Sequence, residues 1–526
     1  MLKRIASLLL DPIPPVFQPS RRDFMKLHGA LILAFAAALS SGLSAQIRAR
    51  DTIWPLLPRP RPNIVLIMLD DIGIDKIASY QFTPPGATAP CTPNIDKLAA
   101  QGMRFTNAYA NPVCSPTRAM LLTGRYAFRT GIGLAIVPGT STVGLSVDYE
   151  TTLPEILNGY TSSYIGKWHL SSDDETAGNR QGLQHPLDSG FDFYAGAMFN
   201  PDDPPVNCTG CAVPNCGSPL GCSNWVKTVD NGSGTLIQQC TNKYATSDTV
   251  DDAIARLRTT PRPFYMQVSV ASAHPPLHDP PSTLCHPPGT CSVQNCPAPS
   301  GGTVPERFNA MVEAADVEIG RLIRAVRHTD PFAYIILVGD NGTLSLAAEG
   351  QSGQCFDTNR SKGTLYEGGV RVPFIVTGPG VAVSENPNLV SVCDLYATIA
   401  DLTRNPNTAD DSVSILPYLR GNMTPLRQTV YSEGFFPNQT TPDHPTTAPF
   451  APAAHIRMVR NTRYKLIRFT DIGGFEDEEF YDLLADPCET TDLCPGVAPC
   501  DALQLTPGER LNYVRLVAEM SQLGVF

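Results

Sequence analysis

Asn63-Ile64-Val65-Leu66-Ile67-Met68-Leu69 is a continuous apolar run that stops at the acid pair Asp70-Asp71. Such a run fits a strand buried on both faces of a parallel sheet, whose carboxyl end opens onto a ligand site. The pattern recurs twice. Tyr334-Ile335-Ile336-Leu337-Val338 runs into Gly339-Asp340-Asn341-Gly342, and Phe264-Tyr265-Met266-Gln267-Val268-Ser269-Val270 leads to His274. Helical patterns lie between these runs, from Pro93 to Gln101, Thr152 to Leu157 and Pro305 to His328. The expected fold is therefore α/β, a large mixed, mostly parallel sheet sandwiched by helices.

A chain of 526 residues is too long for one compact core, so a second, smaller unit is expected. The larger α/β domain is assigned to 55–404. Asn-Pro-Asn and an acidic turn near Asn405 interrupt the pattern, and short alternating runs follow at His455 to Val459 and Tyr464 to Phe469. With a final helix from about Thr506 to Leu523, residues 405–526 read as a smaller C-terminal α+β domain. Two stretches, near 200–240 and 275–304, are rich in Pro, Gly, Ser and Cys and read as disulfide-pinned loops. Loops of that length serve as functional covers or surface insertions, and either would bear on substrate choice.

Hydrophobic residues make up 42% of the chain and charged residues 17%, the ordinary globular range. A net charge of -11 supplies no basic field for nucleic acid or anionic lipid. Ser20-Arg21-Arg22-Asp23-Phe24-Met25-Lys26 precedes the apolar run Ala30 to Leu39 and then small residues. That run is shorter than the roughly 20 residues that span a bilayer, so residues 1–45 read as a twin-arginine export signal. The expectation is a periplasmic or secreted protein, handled by the twin-arginine export machinery, with no stable membrane association after cleavage. Of 15 cysteines, setting Cys114 aside leaves an even number suited to disulfides in an oxidising compartment. Cys208, Cys211, Cys216 and Cys222 could also form a zinc knuckle, but export and their irregular surroundings favour bridges.

The most specific element is Cys114-Ser115-Pro116-Thr117-Arg118, followed by Leu122-Thr123-Gly124-Arg125. It resembles the Cys-x-Pro-x-Arg element of type I sulfatases, within the alkaline phosphatase superfamily. Other elements of that family occur in order: Asn63 to Gly73, Gly166-Lys167-Trp168-His169-Leu170, Gly339-Asp340-Asn341-Gly342, Lys362 to Pro373, and Tyr481-Asp482-Leu483 with Asp486-Pro487. The resemblance covers nearly everything after about Pro60. Independently of it, Asp70, Asp71, Asp340 and Asn341 offer only oxygen donors, which suit Ca²⁺ or Mg²⁺ and poorly suit zinc. Each Asp could equally cap a turn, and each basic residue could serve a surface ion pair.

The resemblance implies an arylsulfatase-like sulfuric ester hydrolase with an alkaline-phosphatase-like fold. It implies that a formylglycine-generating maturation enzyme oxidises Cys114 to formylglycine, and that calcium is the cation, with Asp70, Asp71, Cys114, Asp340 and Asn341 around it. The hydrated aldehyde would attack the sulfur of a small-molecule sulfate ester, and its second hydroxyl would let the intermediate collapse. By the same resemblance Arg118 and Lys167 hold the formylglycine and its charge, and His169 is the base. His274 and Lys362 bind sulfate, with Lys167, and protonate the leaving oxygen. The chain departs from the family in having Ser272-Ala273-His274-Pro275-Pro276-Leu277-His278, which leaves His278 as a rival. Two other readings compete: a phosphate or phosphonate monoester hydrolase of the same superfamily, and a non-catalytic secreted binding protein.

Overall fold

The computed structural model describes residues 61–523, apart from 83–86, 88, 140, 142, 173–181, 202–222, 224, 298–301, 351–354, 406, 440–449 and 497–498. The expected export signal at 1–45 and the Cys208–Cys222 cluster lie outside the described residues.

Strand β1 (Ile64–Leu69) is buried at every residue. Ile64, Leu66 and Met68 enter one hydrophobic cluster, while Val65, Ile67 and Leu69 enter another. That alternation is the two-residue period of a strand covered on both faces. The sheet continues through β2 (Met103–Tyr109), β3 (Thr161–Gly166), β4 (Phe193–Gly196), β5 (Trp225–Asp230), β6 (Leu236–Thr241), β7 (Phe264–Val270), β8 (Tyr334–Gly339), β9 (Phe374–Thr377) and β10 (Ser384–Ser391). Its ten strands lie in the order β10-β2-β9-β8-β1-β7-β3-β4-β5-β6. The middle, β8-β1-β7-β3-β4, is parallel. β9 runs antiparallel to both its neighbours, and β5 with β6 closes one edge as a hairpin.

Helices cover both faces. α1 (Pro93–Ala100), α3 (Ala245–Thr259) and α4 (Val304–Thr329) bury Ile95, Leu98, Val250, Leu257, Phe308 and Ile319 on the Val65 side. α2 (Cys114–Thr123) and α5 (Asp394–Thr403) bury Met120, Leu121, Leu395 and Ile399 on the Ile64 side. α4 starts where the sequence marks a start: Thr303 and Glu306 form a capping box with Pro305 in the first turn.

A second sheet, β11 (Val430–Phe436), β12 (Ala454–Arg460), β13 (Tyr464–Asp471) and β14 (Glu476–Asp482), is antiparallel in chain order. α6 (Pro507–Gln522) packs on it, with the Tyr513 ring 5.6 Å from Phe480. Phe480, Tyr464 and Leu516 belong to the same cluster as Ile64 and Met120, and from Pro62 onward the chain forms one compact unit.

Two expectations change. The 200–240 stretch is not loop throughout, because Trp225–Asp230 and Leu236–Thr241 pair and extend the large sheet. Polar residues such as Gln238 and Gln239 on an edge strand hide the period. Bridges form at Cys91–Cys291, Cys285–Cys296, Cys355–Cys488 and Cys494–Cys500, so the 275–304 loop is pinned by disulfides. Cys393, however, is a buried thiol like Cys114. Thirteen cysteines remain for pairing, and at most six bridges can form rather than seven. Cys393 sits among Met120, Leu395 and Tyr396 and behaves as a small apolar residue.

A buried charge network joins the two sheets. Glu367, just after the Lys362 segment, accepts from Lys465 Nζ at 3.1 Å and Tyr109 Oη at 2.8 Å, and meets Arg460 Nη1 at 3.3 Å. Burial opposes its charge, but Lys465, Arg460 and Arg371 hold its pKa down to about 2. Glu367→Ala would leave these cations buried without that partner. Lys465 keeps Glu489 at 2.7 Å, so a loss of about 3 kcal/mol is expected, the low end for breaking a buried pair, read as a fall in the urea midpoint.

Candidate active site

Parallel strands deliver the predicted residues to one end of the sheet. β1 ends at Asp70-Asp71, β8 at Asp340-Asn341, β3 at Lys167, and β7 leads to His274. Backbone bonds extend the ladder past the strand ends: Asp340 N to Leu69 O at 3.0 Å, Lys167 N to Ser269 O at 3.1 Å, and Ala273 N to Asp70 O at 3.0 Å. Cys114 opens α2, where Thr117 Oγ1 accepts from Asn111 N at 2.9 Å and Ser115 Oγ accepts from Ile136 N at 3.1 Å. Gly124, at φ 68°, ends that helix. Gly342 is obligatory at its turn, since an added Cβ would meet Gly368 O at 1.8 Å.

Around Cys114 Sγ stand Lys167 Nζ at 3.6 Å, Lys362 Nζ at 3.7 Å and Asp70 Oδ1 at 3.7 Å. Lys167 pairs with Asp70 Oδ2 at 2.7 Å and Lys362 with Asp71 Oδ1 at 2.6 Å. Arg118 Nη2 bridges Asp340 Oδ2 at 2.8 Å and Asp70 Oδ2 at 3.3 Å, while its Nη1 donates to Lys167 O at 2.7 Å. Ligand atoms of Asp70, Asp71, Cys114 and Asp340 all lie within 4.8 Å of one another, and a second group joins Asp70 and Cys114 to His274. Asn341 Nδ2 donates to Asp71 Oδ1 at 2.9 Å and Gly342 O at 3.0 Å. Its Oδ1 is buried without a hydrogen-bond partner among the described residues. An orphaned amide oxygen beside three carboxylates fits a hard cation.

Electrostatics follow from burial. Desolvation opposes the Asp70 charge, but Lys167, His274 and Arg118 outweigh it and hold its pKa well below the carboxylate range. Asp340 goes the other way, pushed up to about 7 by burial and by Asp70. Burial drives the Cys114 thiol up to about 12 despite Lys167 and Lys362, so the unmodified side chain is a poor thiolate nucleophile. His169 is depressed by burial, then by Lys167 and Arg118. Its Nε2 lies 2.8 Å from Ile136 O, and its buried Nδ1 has no partner among the described residues, which leaves a neutral ring with a free lone pair. Asp71 (φ 61°) and His169 (φ 62°) both occupy the left-handed region, a strain common at functional sites.

All the residues predicted to act are thus brought together, and His278 is not among them. Its Nε2 lies 3.2 Å from Tyr244 Oη, whereas His274 acts electrostatically on Asp70. Sequence reasoning missed three supporting residues. Tyr164 Oη donates to Lys167 O at 2.7 Å and lies 3.4 Å from Arg118 Nη1. Thr343 Oγ1 accepts from Gly73 N at 3.1 Å and donates to Asp75 Oδ1 at 2.6 Å, tying the Asp71 turn to the Asp340 turn. Asp75 closely follows Asp70-Asp71 and Thr343 follows Gly342; that adjacency was the available signal.

The family model described as "Sulfatase" matches residues 62–405. The chain belongs to the sulfatase family. This sulfatase is 29% identical over 512 residues to arylsulfatase A of Homo sapiens, covering 89% of this chain and 87% of that one. It is 31% identical over 388 residues to N-acetylgalactosamine-6-sulfatase of Sus scrofa, covering 70% and 67%. Among solved structures, Ps i-CgsB matches with TM-score 0.63 at 21% identity, over 88% of this chain and 92% of that one. BT4656 in complex with its substrate D-glucosamine-2-N,6-O-disulfate matches with TM-score 0.60 at 20% identity, over 88% and 98%. The fold is shared with both, and the reaction class is sulfate ester hydrolysis.

In this sulfatase the Lys167-Trp168-His169 turn is anchored by a buried imidazole. Trp168 Nε1 donates to His185 Nδ1 at 2.9 Å, and His185 Nε2 lies 2.8 Å from Leu145 O. Nδ1 therefore carries the lone pair, and protonating it would oppose the indole N–H. Burial accordingly lowers the His185 pKa to about 4. A depressed histidine stabilises the fold above its unfolded pKa of about 6.5, and that contribution is lost as pH falls from there toward 4. The loss comes to about 3 kcal/mol. Gln can accept from the indole and donate to Leu145, so in His185→Gln the decline in urea stability over that interval is expected to be shallower by about this amount.

Proposed function

We propose that this sulfatase is an exported, arylsulfatase-like hydrolase whose nucleophile is formylglycine made from Cys114 by a maturation enzyme. The observation that carries this reading is the enclosure of the buried Cys114 Sγ by Lys167 Nζ, Lys362 Nζ and Asp70 Oδ1. Residue 114, oxidised to the aldehyde, supplies a hydrate whose hydroxyl attacks sulfur. Asp70, Asp71, Asp340 and Asn341 would hold calcium, which supplies positive charge to the sulfuryl oxygens. Lys167 and Lys362 place ammonium groups at the same oxygens, at positions fixed by Asp70 and Asp71. Arg118 neutralises Asp340 and Asp70 from behind and keeps the carboxylates apart. His169 Nδ1 takes a proton when the adduct collapses, and His274 with Lys362 delivers one to the leaving oxygen.

Four described disulfides support an oxidising destination. No helix among the described residues is long and apolar enough to cross a membrane. The twin-arginine route carries folded proteins, so oxidation of Cys114 precedes export. Mass spectrometry of the Cys114 peptide from active, exported protein is expected to find the aldehyde; a free thiol there overturns the nucleophile.

Lys362→Ala is expected to lower kcat/KM on 4-nitrophenyl sulfate by about 10²–10³-fold, the effect of removing one preorganised charge donor. The intact enzyme should prefer 4-nitrophenyl sulfate to 4-nitrophenyl phosphate by a larger kcat/KM, and a reversed preference would instead identify the phosphoesterase alternative. Calcium removal by chelation should abolish turnover, with Asp340→Asn weakening calcium binding in a direct titration.

A further inference from the structure

The chain leaves the end of β8 at Asn341 and is back beside it at Lys362, whose N donates to Thr343 O at 2.9 Å. One loop therefore joins a cation-site amide to an ammonium beside Cys114. Its outer part is fastened to the C-terminal region. Cys355 is bridged to Cys488, 133 residues away, and Arg360 Nη1 donates to Cys488 O at 3.3 Å. On the far side of Lys362, Glu367 N donates to Glu489 Oε2 at 2.7 Å. Lys362 is thus flanked by three attachments to the same short segment, a disulfide and a hydrogen bond before it and a hydrogen bond after it.

The covalent one is also partly open to solvent. Cys355 and Cys488 are both partly accessible, whereas each of the other three described bridges has at least one buried cysteine. Thiol exchange needs access to a sulfur, so of the four described bridges this one is the most open to reduction.

We propose that the Cys355–Cys488 disulfide is a redox-controlled positioning element for Lys362, open in the reducing cytosol and closed on arrival in an oxidising compartment, where closure completes the active site. The inference rests on the sulfate-binding role of Lys362 given above. On closure a thiolate of one cysteine attacks a sulfur of an oxidant disulfide and expels one thiolate, and the second cysteine thiolate then attacks the protein sulfur of the mixed disulfide and expels the oxidant's other thiolate. The two cysteines lose two protons and two electrons, and the oxidant disulfide becomes two thiols. On opening, an added dithiol is oxidised in the reverse sequence. The open loop keeps the Lys362–Thr343 and Arg360–Cys488 hydrogen bonds but loses its covalent anchor, so Lys362 samples more positions and the kcat of the enzyme falls.

The test uses the full mature enzyme. Native protein is treated with graded dithiothreitol, opened thiols are identified by alkylation and mass spectrometry, and kcat and KM are measured on 4-nitrophenyl sulfate. Cys355 and Cys488 should be alkylated before the cysteines of the other three described bridges, with kcat/KM falling about tenfold as they open, at unchanged circular dichroism and calcium affinity, and recovering on reoxidation. The double variant Cys355→Ser/Cys488→Ser should show the same loss. In a Lys362→Ala background, opening the bridge should change kcat/KM by less than about twofold, because the two changes act through one side chain. The proposal is overturned by an opened bridge with undiminished kcat/KM, by an equal fold-loss in both backgrounds, or by loss of activity only together with loss of fold. Full activity in Lys362→Ala itself overturns the role of Lys362, and this proposal with it; the other outcomes leave that role standing.

Discussion

The site depends on a balance of six closely packed charges, five of them buried. Asp70, Asp71 and Asp340 face Arg118, Lys167 and Lys362, and all but Lys362 are essentially inaccessible to water. Desolvation of such groups is tolerable only because each charge has an opposite partner within hydrogen-bonding distance. Arg118 has the largest share of this work. It touches two of the three carboxylates and a backbone carbonyl, and its flat fork suits that geometry where a lysine would not. The six formal charges sum to zero. A divalent cation at the three acids and Asn341 would therefore leave an excess positive pocket in a chain whose overall net charge is -11. Attraction for an anionic ester is then local, generated inside the sheet's end and not by the protein surface.

The fold sets this balance by placing neighbouring strand ends at one level. Leu69, Ser269 and Gly339 stand in adjacent parallel strands, and their backbone bonds continue into the turns that carry Asp340, Lys167 and Asp70. No acid reaches the site on a flexible arm. The left-handed turns at Asp71 and His169 redirect the chain immediately after the strands, and buried contacts such as Thr343 to Asp75 and Trp168 to His185 hold those turns. The C-terminal sheet contributes indirectly, through Glu367 with Lys465 and Arg460 and through the disulfide at Cys355, behind the Lys362 segment.

Much of this was legible in the sequence because the central strands are buried on both faces. Ile64 to Leu69, Phe264 to Val270 and Tyr334 to Val338 announce themselves as apolar runs, and the residues that end them are the ones that converge. The edge was not legible, since β6 carries polar side chains that face water while β5 buries the polar pair Lys227 and Thr228, so neither shows an apolar two-residue signature. Nor were the pairings. That Arg118 bridges Asp340, 222 positions away, and that Tyr164 supports Lys167 are consequences of sheet order, which no local pattern encodes. Counting cysteines gave an even set, but parity says nothing about burial, and Cys393 is withdrawn from pairing by its apolar surroundings.

The placement of the two lysines also bears on why sulfate, and not phosphate, suits this site. The metal-type clusters among the described residues share Asp70 and Cys114, so they describe one centre and not two. Beside Cys114, where a second cation would serve a more highly charged ester, stand the ammonium groups of Lys167 and Lys362, each already committed to a carboxylate. An ammonium contributes one positive charge and hydrogen bonds, without the Lewis acidity and second positive charge that a metal ion brings to a phosphate dianion. A sulfate monoester carries a single negative charge and needs less. A site with one divalent position and two fixed ammonium groups therefore supplies about the charge that a sulfuryl group can use, and any stronger field would retain the dianionic sulfate product after cleavage.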